Sequence, residues 1–211
     1  TCALPIFNHT GRMTDATREK VQKVVDRLGY RVNVSARNLN RGRTGFITLA
    51  VPCLTAPYLA GLANRVIDIA RIYDYSVYVT TYAEGTSRGA ASLLRNFNAT
   101  VSDGMILSLS EMEDLTPEDL SVDFPLVCVG ARFTHHKADH VTPDDVQSAR
   151  LATEYLLDRG VSRPAVVGSR TDFAQLSTLR DVTEGNAQLR MRGVFEACCD
   201  RNIALATELM P

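Results

Sequence analysis

The sequence lacks a hydrophobic run long enough to cross a membrane, and it has no recognisable signal peptide. We therefore expect a cytoplasmic protein with no membrane partner. It also lacks the G-x-G-x-x-G loop, the Walker loop, and the G-x-S-x-G and H-E-x-x-H motifs that mark many enzymes. Because these motifs are missing, we expect no enzymatic activity and no cofactor. An enzyme built on an α/β sheet stays an alternative that no residue supports.

The spacing of the cysteines indicates neither a disulfide framework nor a metal site. The five cysteines are Cys2, Cys53, Cys128, Cys198 and Cys199. An odd, scattered set that lies mostly in apolar runs is typical of small core residues in a reducing compartment. Three histidines stand close together, at 135, 136 and 140. They fall in a predicted loop without an obvious acidic or thiolate partner, so no metal site is expected.

Charge is distributed unevenly, although the net charge of the 211 residues is only −1. Residues 1–45 contain nine Arg and Lys residues against three Asp and Glu residues, a net charge of +6. The remaining residues, 14 basic and 21 acidic, carry a net charge of −7. A basic arm on an acidic body favours a polyanionic partner for the arm alone, although a solvated charged helix would have the same composition.

One amphipathic helix is predicted within this basic arm, over residues 15–28. Thr14 is a favourable N-cap, and Gly29 suits the left-handed position at which many helices end. An apolar stripe with helical spacing lies between them, made of Val21, Val24, Val25 and Leu28. A second, short helix is predicted over residues 34–40. So short a helix is marginal in water and would become ordered on a partner surface.

From Phe46 the pattern changes to apolar strands that alternate with helices. Strands are predicted at 46–51, 75–81, 103–109, 125–130 and 164–168. Helices are predicted at 57–73, 87–99, 117–121, 145–159 and 187–200. The pair Asp144-Asp145 should cap the fourth of these helices, and a loop rich in His and Asp precedes it. Near-continuous apolar strands that alternate with helices predict a parallel sheet with right-handed crossovers.

The stretch from Gly11 to Pro52, GRMTDATREKVQKVVDRLGYRVNVSARNLNRGRTGFITLAVP, resembles the LacI/GalR family of bacterial transcription regulators. It carries the family's L-G-Y, an A-R-x-L hinge segment, and R-G-R-T before the first strand. Later segments fit as well, among them the APY turn, VTPDD where V-x-x-D-N is usual, and RMRGV. The similarity covers about residues 7–211. Two features depart from the family: Val32 replaces the usual hinge proline, and TCALPI at residues 1–6 does not match a recognition helix.

The resemblance implies an α/β fold with periplasmic-binding-protein-like, doubly wound parallel sheets, of which the first lobe is complete and the second partial. A helical DNA-binding remnant and a hinge helix would precede it. The implied boundaries are 1–32 for the remnant of a helix-turn-helix domain, 33–45 for the hinge helix and linker, and 46–211 for the effector-binding domain. That domain would divide into lobes at 46–135 and 136–211. The chain would then be a fragment that lacks both ends.

The resemblance also implies a ligand-responsive regulator, a repressor that acts as a homodimer on a double-stranded DNA operator. The residues implied to contact DNA are Arg12, Thr17, Tyr30, Asn33, Ala36, Arg37 and Leu39. Leu39 would wedge between base steps in the minor groove, with its three hinge neighbours flanking it. Arg12, Thr17 and Tyr30 would contact phosphates, which position the protein without reading sequence. Leu39 could instead be a core residue on a helix face.

The resemblance also implies a small-molecule effector that binds at the carboxyl ends of the parallel strands. A sugar is favoured, because many members of the family bind one. The implied contact residues are Tyr58, Leu59, Ser108, Ser110 and Arg190. The first two would stack on the ligand, the serines would bond its hydroxyls, and Arg190 would reach it with a planar guanidinium fork. Tyr58 could instead be a packing residue and Arg190 a surface charge. A sugar-binding module without DNA-binding activity is the alternative function, against which the basic arm counts.

Overall fold

A computed structural model describes residues 14–29, 42–83, 89–110, 115–132, 134–167 and 176–204, apart from the side chains of residues 18 and 176–178. The chain divides into two compact units, Thr1–Gly45 and Phe46–Pro211. The division falls where the sequence changes from the basic arm to the first apolar strand.

Helix α1 (Asp15–Leu28) is the described helix of the first unit. It begins at Thr14, whose side-chain oxygen accepts a hydrogen bond from the Thr17 amide. It ends at Gly29, which has a φ of 58° and donates its amide N–H to carbonyls in the last turn. Glycine adopts this left-handed conformation without a Cβ clash. The predicted bounds and both predicted caps of this helix are confirmed.

The second unit is built on one five-stranded sheet with the order β2-β1-β3-β4-β5. The strands are β1 (Phe46–Val51), β2 (Ser76–Thr81), β3 (Met105–Ser108), β4 (Leu126–Val129) and β5 (Asp139–Val141). All neighbouring strands are parallel, and in the register of β1 Ala50 stands opposite Thr80 on one side and Leu107 on the other. The predicted parallel α/β architecture is confirmed.

Helices connect and cover the strands. They are α2 (Pro57–Ile72), α3 (Ala90–Arg95), α4 (Pro117–Leu120), α5 (Asp145–Leu157) and α6 (Asn186–Asp200), with a 3-10 helix at Leu176–Asp181. Helices α2 and α4 begin with proline, whose missing N–H has no helical partner to lose at that position. Helix α5 begins after Asp144, whose carboxylate accepts the Gln147 amide at 2.9 Å. The cap predicted at this aspartate is confirmed.

Alternating strand side chains build separate apolar cores on the two faces of the sheet. The first core lies on the side of α3 and α4 and contains Ala50, Tyr82, Leu94, Leu107, Leu120 and Cys128. The second lies on the side of α2 and contains Leu49, Val51 and Ala63. Strand β1 contributes to both cores because successive side chains of a strand point to opposite faces. Burial on both faces leaves the strand ends as the positions for polar chemistry.

Helices α5 and α6 pack with their backbones in contact. A Cβ added at Gly193 of α6 would lie 2.1 Å from the carbonyl oxygen of Val146 and 3.0 Å from the amide nitrogen of Arg150, both in α5. A larger residue would therefore force the helices apart. Arg150 also forms ion pairs with Glu154, Glu196 and Asp200. Its hydrogen bonds to Asp200 and Glu154 raise the pKa of its guanidinium.

Strand β5 takes the place of part of the loop that the sequence predicts before α5. Its three residues are all exposed. It is held at the sheet edge by parallel pairing with β4, in which Val127 stands opposite Asp139. A short, polar edge strand has no alternation of apolar and polar residues, so its sequence pattern predicts a loop.

The helix predicted at 87–99 is shorter in the structure, where α3 ends at Arg95, and residues 84–88 lie outside the described part. Asparagine side chains bond to nearby backbone just after it. The side chain of Asn96 donates to the Ser92 carbonyl at 2.8 Å, and Asn98 accepts the Thr100 amide at 2.9 Å. Such local bonds compete with the helical pattern and favour turns.

The strand predicted at 164–168 is wrong for residues 164–167, where the structure has an isolated bridge at Ala165 instead. Residue 168 lies outside the described part. Pro164 cannot donate a ladder hydrogen bond, and Val167 is 85% exposed, so the apolar pattern here is not matched by burial.

Cysteines divide between core and surface. Cys128 of β4 and Cys198 of α6 are buried, as predicted for core residues, but the prediction is wrong for Cys199, which is exposed. Burial raises the pKa of the Cys128 thiol to about 11. Burial also raises the pKa of Cys198, with a smaller effect from Cys199. Consecutive helical residues point in different directions, which explains the opposite surroundings of these neighbours.

No helix among the described residues has the length and apolar composition needed to cross a bilayer. Within the same residues, no group of three or more His, Cys, Asp or Glu side chains is placed to hold a metal ion. His135 and His136 have positive φ angles of 51° and 56°. They form a turn that the Lys137 amide closes by donating to the Thr134 carbonyl at 2.9 Å.

Candidate functional site

All five strands end at the same edge of the sheet because they run parallel. Their last residues are Val51, Thr81, Ser108, Val129 and Val141. In open α/β sheets, ligands bind in the crevice outside this carboxyl edge. The candidate site is therefore built from the segments that leave these strands.

Tyr82 joins the ends of three strands at this edge. It directly follows β2 and is 4% exposed. Its hydroxyl donates to the Ser108 carbonyl at 2.6 Å and accepts the Ser110 amide at 3.2 Å. Its own amide donates to the carbonyl of Val51, the last residue of β1, at 3.2 Å. The backbone that follows β3 is held in place by these bonds.

Gly130 and His140 shape the other side of the edge. Gly130 has a φ of 127°, and a Cβ there would lie 3.0 Å from the Leu109 carbonyl oxygen, so this position requires glycine. Its amide donates to the Val141 carbonyl at 3.1 Å, and its own carbonyl is in contact with Nε2 of His140. The loop that follows β4 is thereby fixed to β5.

A cavity of about 360 Å³ opens beside β5 and the start of α5. Its polar lining residues are Arg132, His140, Thr142, Asp144, Asp145 and Thr183. The volume lies within the range of about 300 to 1,000 Å³ that is usual for small-molecule sites. Cationic, anionic and hydroxyl groups face the same space, so the cavity offers both hydrogen-bond donors and acceptors.

Asp145 is a carboxylate in the first turn of α5 that is only 3% exposed. Nε of Arg190 donates to its Oδ1 at 2.6 Å, and Nδ2 of Asn186 donates to its Oδ2 at 2.7 Å. A buried carboxylate needs such partners, because an unpaired charge is costly away from water. The side chain of Arg190 is itself 60% exposed. Asp145 therefore holds the start of α6 and fixes the Nε end of an otherwise solvent-facing guanidinium.

The loop after β4 is tied to the segment that precedes α6. Nη1 of Arg132 lies 3.3 Å from Oε1 of Glu184, and the Gly185 amide donates to the Ala131 carbonyl at 2.8 Å. Gly185 has a φ of 90°, a conformation that favours glycine. Two walls of the cavity are thus connected by an ion pair and a backbone hydrogen bond.

The predicted effector residues lie in three places. Ser108 is buried and Ser110 half-buried at the carboxyl edge, where Tyr82 bridges them. Tyr58, 68% exposed, and Leu59 lie in the first turn of α2. Arg190 lies near the start of α6, on Asp145. None of the five is among the described residues that line the 360 Å³ cavity.

Thr17 is the described member of the seven residues predicted to contact DNA. It is exposed in the first turn of α1, and its hydroxyl lies 2.8 Å from that of Thr14. The other six lie outside the described residues, as does the helix predicted at 34–40; they are Arg12, Tyr30, Asn33, Ala36, Arg37 and Leu39.

Known proteins similar to this chain are regulators of bacterial transcription. Over 184 residues it is 27% identical to catabolite control protein A of Staphylococcus epidermidis, a match that covers 85% of this chain and 54% of the relative. Over 155 residues it is 28% identical to the ribose operon repressor of Halalkalibacterium halodurans, covering 74% and 46% respectively. The crystal structure of a LacI-type transcription regulator from Bifidobacterium animalis subsp. lactis matches with a TM-score of 0.68 and 27% identity, covering 78% of this chain and 57% of that one.

The chain is similar to regulators of the LacI family.

The chain spans about half the length of the curated relatives it matches. No family model matches it. The likeness to a LacI-type crystal structure agrees with the parallel sheet described here, so the predicted fold class and the predicted resemblance to LacI-type regulators are confirmed. The relatives named here are transcription regulators, not enzymes.

The sequence alone does not predict the roles of two residues of the site. Asp145 is predicted as half of a capping pair, yet Asp144 alone caps α5 and Asp145 pairs with α6. The doubled aspartate is a signal for this, since one carboxylate suffices for a cap. Tyr82 carries no comparable signal, because its bonding partners are 26 and 28 residues away.

Proposed function

We propose that this chain is part of a ligand-responsive DNA-binding transcription regulator, a repressor that senses a small sugar-like metabolite. The observation that carries the proposal is the position of residues 1–45, with a net charge of +6, directly before the parallel α/β unit that starts at Phe46. Phosphate backbones attract such a segment whatever their sequence. The names of the relatives, a control protein and an operon repressor, support the same function.

Residues 1–45 are the DNA-binding part in this proposal. Arg12, Thr17 and Tyr30 contact phosphates and so position the chain on the duplex. Thr17 suits this role because it is exposed in the first turn of α1, where helix amides and the helix dipole favour an anion. Leu39 wedges between base steps in the minor groove and kinks the duplex, and its flanking residues are Asn33, Ala36 and Arg37.

The effector binds at the carboxyl edge of the sheet. Sugar hydroxyls both donate and accept hydrogen bonds, which suits a cavity whose lining mixes Arg132, His140 and Asp144. Outside that cavity, Ser108 and Ser110 offer hydroxyls after β3, and Tyr58 and Leu59 offer apolar surface for the ring of the sugar in the first turn of α2. Arg190 contacts the effector through the part of its guanidinium that points away from Asp145, because Nε is already engaged. The name of the ribose operon repressor supports a sugar.

The functional form in this proposal is a homodimer. Large apolar side chains are exposed on the α2 side of the sheet, with Ile69, Ile72 and Tyr73 at 54%, 72% and 71%. A groove of about 520 Å³ lies beside them, lined mainly by Ile47, Val66, Ile69, Tyr73 and Ile106. An apolar patch of this kind marks an interaction site, and a twofold homodimer is the commonest closed assembly. A second copy of this chain is the partner that we propose for the groove.

Effector binding regulates DNA binding by a shift of population. The effector stabilises one arrangement of the dimer, and operator DNA stabilises another. Because the two binding free energies are linked, each ligand weakens the other by the same factor.

The DNA part is tested with sheared double-stranded DNA as the probe and fluorescence anisotropy as the readout, between about 50 and 200 mM salt. The chain is expected to bind with an affinity that falls steeply as salt rises. A variant that lacks residues 1–45 is expected to lose this binding. If that variant keeps the affinity and the salt dependence of the intact chain, residues 1–45 are not the DNA-binding part.

The effector part is tested by thermal unfolding in the presence of D-ribose or D-glucose. A sugar that binds only the folded chain raises the unfolding temperature, and the rise grows with the logarithm of the sugar concentration once this exceeds the Kd. Arg190→Lys is expected to reduce this rise, and Arg71→Lys, at a 75% exposed arginine on α2, serves as the control that leaves it unchanged. If the sugar raises the unfolding temperature equally in both variants and in the unaltered chain, Arg190 is not part of the effector site.

A further inference from the structure

Tyr82 is an aromatic residue buried at the one edge of the sheet where ligands of open α/β folds bind. Its hydroxyl is fully used, since it donates to the Ser108 carbonyl at 2.6 Å and accepts the Ser110 amide at 3.2 Å. Both partners are backbone groups of a single three-residue segment. The bonds therefore fix a piece of backbone and not another side chain.

The strand order shows why a tyrosine is needed for this contact. Tyr82 follows β2, but its hydroxyl partners follow β3, and β1 lies between these two strands. The phenol ring must therefore cross the end of β1. It belongs to the same core as Ala50, the next-to-last residue of β1, which is fully buried and has a small side chain. A long, rigid side chain with a polar tip can cross this gap and still form hydrogen bonds at its far end.

The segment from Ser108 to Ser110 is held from two sides. On the side of β4, the Leu109 amide donates to the Val129 carbonyl at 2.8 Å. On the side of β1 and β2, the hydroxyl of Tyr82 bonds to the Ser108 carbonyl and the Ser110 amide, which lie on either side of Leu109. The Ser110 amide lies one residue beyond the last amide that pairs with β4. Tyr82 therefore holds the segment one residue further along the chain than β4 does.

We propose that Tyr82 is a positioning residue of the effector site: its hydroxyl fixes the backbone of Ser108–Ser110 and so holds the Ser110 side chain where it can bond a sugar hydroxyl. The functional half of this inference rests on the proposed function. The geometric half does not, because it concerns bonds within the chain. Tyr82 itself acts through Ser110 and does not touch the effector.

Amide hydrogen exchange, followed by NMR in the whole chain, tests the geometric half. Tyr82→Phe keeps the ring and removes the hydroxyl, so exchange of the Ser110 amide is expected to accelerate about tenfold or more. The Leu109 amide, bonded to Val129, is the internal reference and is expected to keep its rate. Tyr78→Phe, at a tyrosine of β2 that is 44% exposed, is the matched control and is expected to change neither.

An unchanged Ser110 amide in Tyr82→Phe overturns the proposal, and so does an equal acceleration of Ser110 and Leu109, which would indicate general loosening. The unaltered chain provides a second measurement that does not depend on the variant folding. The Tyr82 hydroxyl proton is expected to exchange slowly and to show a nuclear Overhauser contact with the Ser110 amide. The absence of both signals also overturns the proposal.

Calorimetry with D-ribose and D-glucose tests the functional half. For a sugar that binds the unaltered chain, Tyr82→Phe is expected to raise the Kd about threefold to tenfold, and Tyr78→Phe is expected to leave it unchanged. An unchanged Kd together with an accelerated Ser110 amide would overturn the role in effector binding. If neither sugar binds the unaltered chain, the proposed effector fails, and the exchange data still decide whether Tyr82 positions Ser110.

Discussion

Nε of Arg190 lies 2.6 Å from Oδ1 of Asp145, although the two residues are 45 positions apart in the chain. Asp145 is buried whereas Arg190 is largely exposed, so the pair is asymmetric. Loss of the pair costs free energy mainly at the carboxylate, because Asp145 cannot become solvated unless the start of α6 moves away. Asn186 also stabilises the carboxylate, because its side chain donates to the other carboxylate oxygen.

Arg190→Ala is expected to lower the free energy of unfolding by about 1 kcal/mol, measured by urea denaturation. The estimate is at the low end for a charged hydrogen bond because solvent screens the exposed arginine. Arg71→Ala breaks the exposed pair with Asp68, whose charged atoms are 3.6 Å apart, and is expected to cost less than about 0.5 kcal/mol. Equal losses would mean that Asp145 does not depend on Arg190.

Gly193→Ala is expected to destabilise the chain by about 1 to 3 kcal/mol, although alanine normally favours a helix. The new Cβ would meet backbone atoms of α5, which cannot rotate away, so the helices must separate. Gly61→Ala in α2 is the matched control, since a Cβ there would meet no atom within 4 Å apart from its chain neighbours and the nearby backbone of its own helix. It is expected to stabilise by about 0.5 to 1 kcal/mol. Changes of the same sign in both variants, measured by thermal unfolding, would contradict close packing of α5 on α6.

The buried thiol of Cys128 is expected to make stability fall at alkaline pH. Its pKa is about 11 in the folded chain, against an ordinary value of 9.0. Burial of the neutral thiol contributes to the free energy of unfolding, and this contribution is fully present below pH 9. It is lost as pH rises from 9 to 11, and the loss amounts to about 2 kcal/mol. Unfolding free energies between these pH values should therefore fall less in Cys128→Ala than in the unaltered chain. Cys199→Ala, at an exposed position, should keep the full decline; identical slopes in all three proteins would contradict the burial of Cys128.

Ile69→Glu is expected to shift the chain from dimer to monomer in sedimentation velocity. The side chain is 54% exposed and lines the apolar groove on the α2 side of the sheet, where a carboxylate would be desolvated on pairing. Leu151→Glu is the matched control, because Leu151 is 55% exposed on α5, away from this groove. A dimer that survives Ile69→Glu but not Leu151→Glu would place the interface elsewhere.

The sequence predicts those parts of the fold that rest on local pattern. Helix α1 and strand β1 have the predicted bounds, because caps and a continuous apolar run specify them directly. Strand β5 escapes prediction since its three exposed residues depend on the edge of β4 for their hydrogen bonds. The wrong strand at 164–167 shows the reverse case, in which an apolar pattern forms only an isolated bridge at Ala165.

The candidate site is less predictable than the fold, because its central contacts join distant parts of the chain. Nothing near Tyr82 in the sequence indicates that its hydroxyl bonds to the backbone after β3. Asp145 looks like a second capping residue until α6 brings Arg190 and Asn186 to it. Local propensity explains caps and strands, whereas these contacts depend on the tertiary arrangement.

The salt dependence of binding to sheared duplex DNA tests the central claim most directly. Each phosphate contact contributes roughly 0.9 to the slope of log affinity against log salt. The triple variant Arg37→Gln, Arg41→Gln and Arg43→Gln removes three cations of residues 1–45 that would attract phosphates, and it is therefore expected to bind more weakly and to lower that slope by about 2 to 3. A control triple in the second unit, Arg71→Gln, Arg159→Gln and Arg201→Gln, removes the same charge and is expected to leave the slope unchanged. The account is contradicted if the control lowers the slope as much as the arm variant does, or if the arm variant leaves it unaltered.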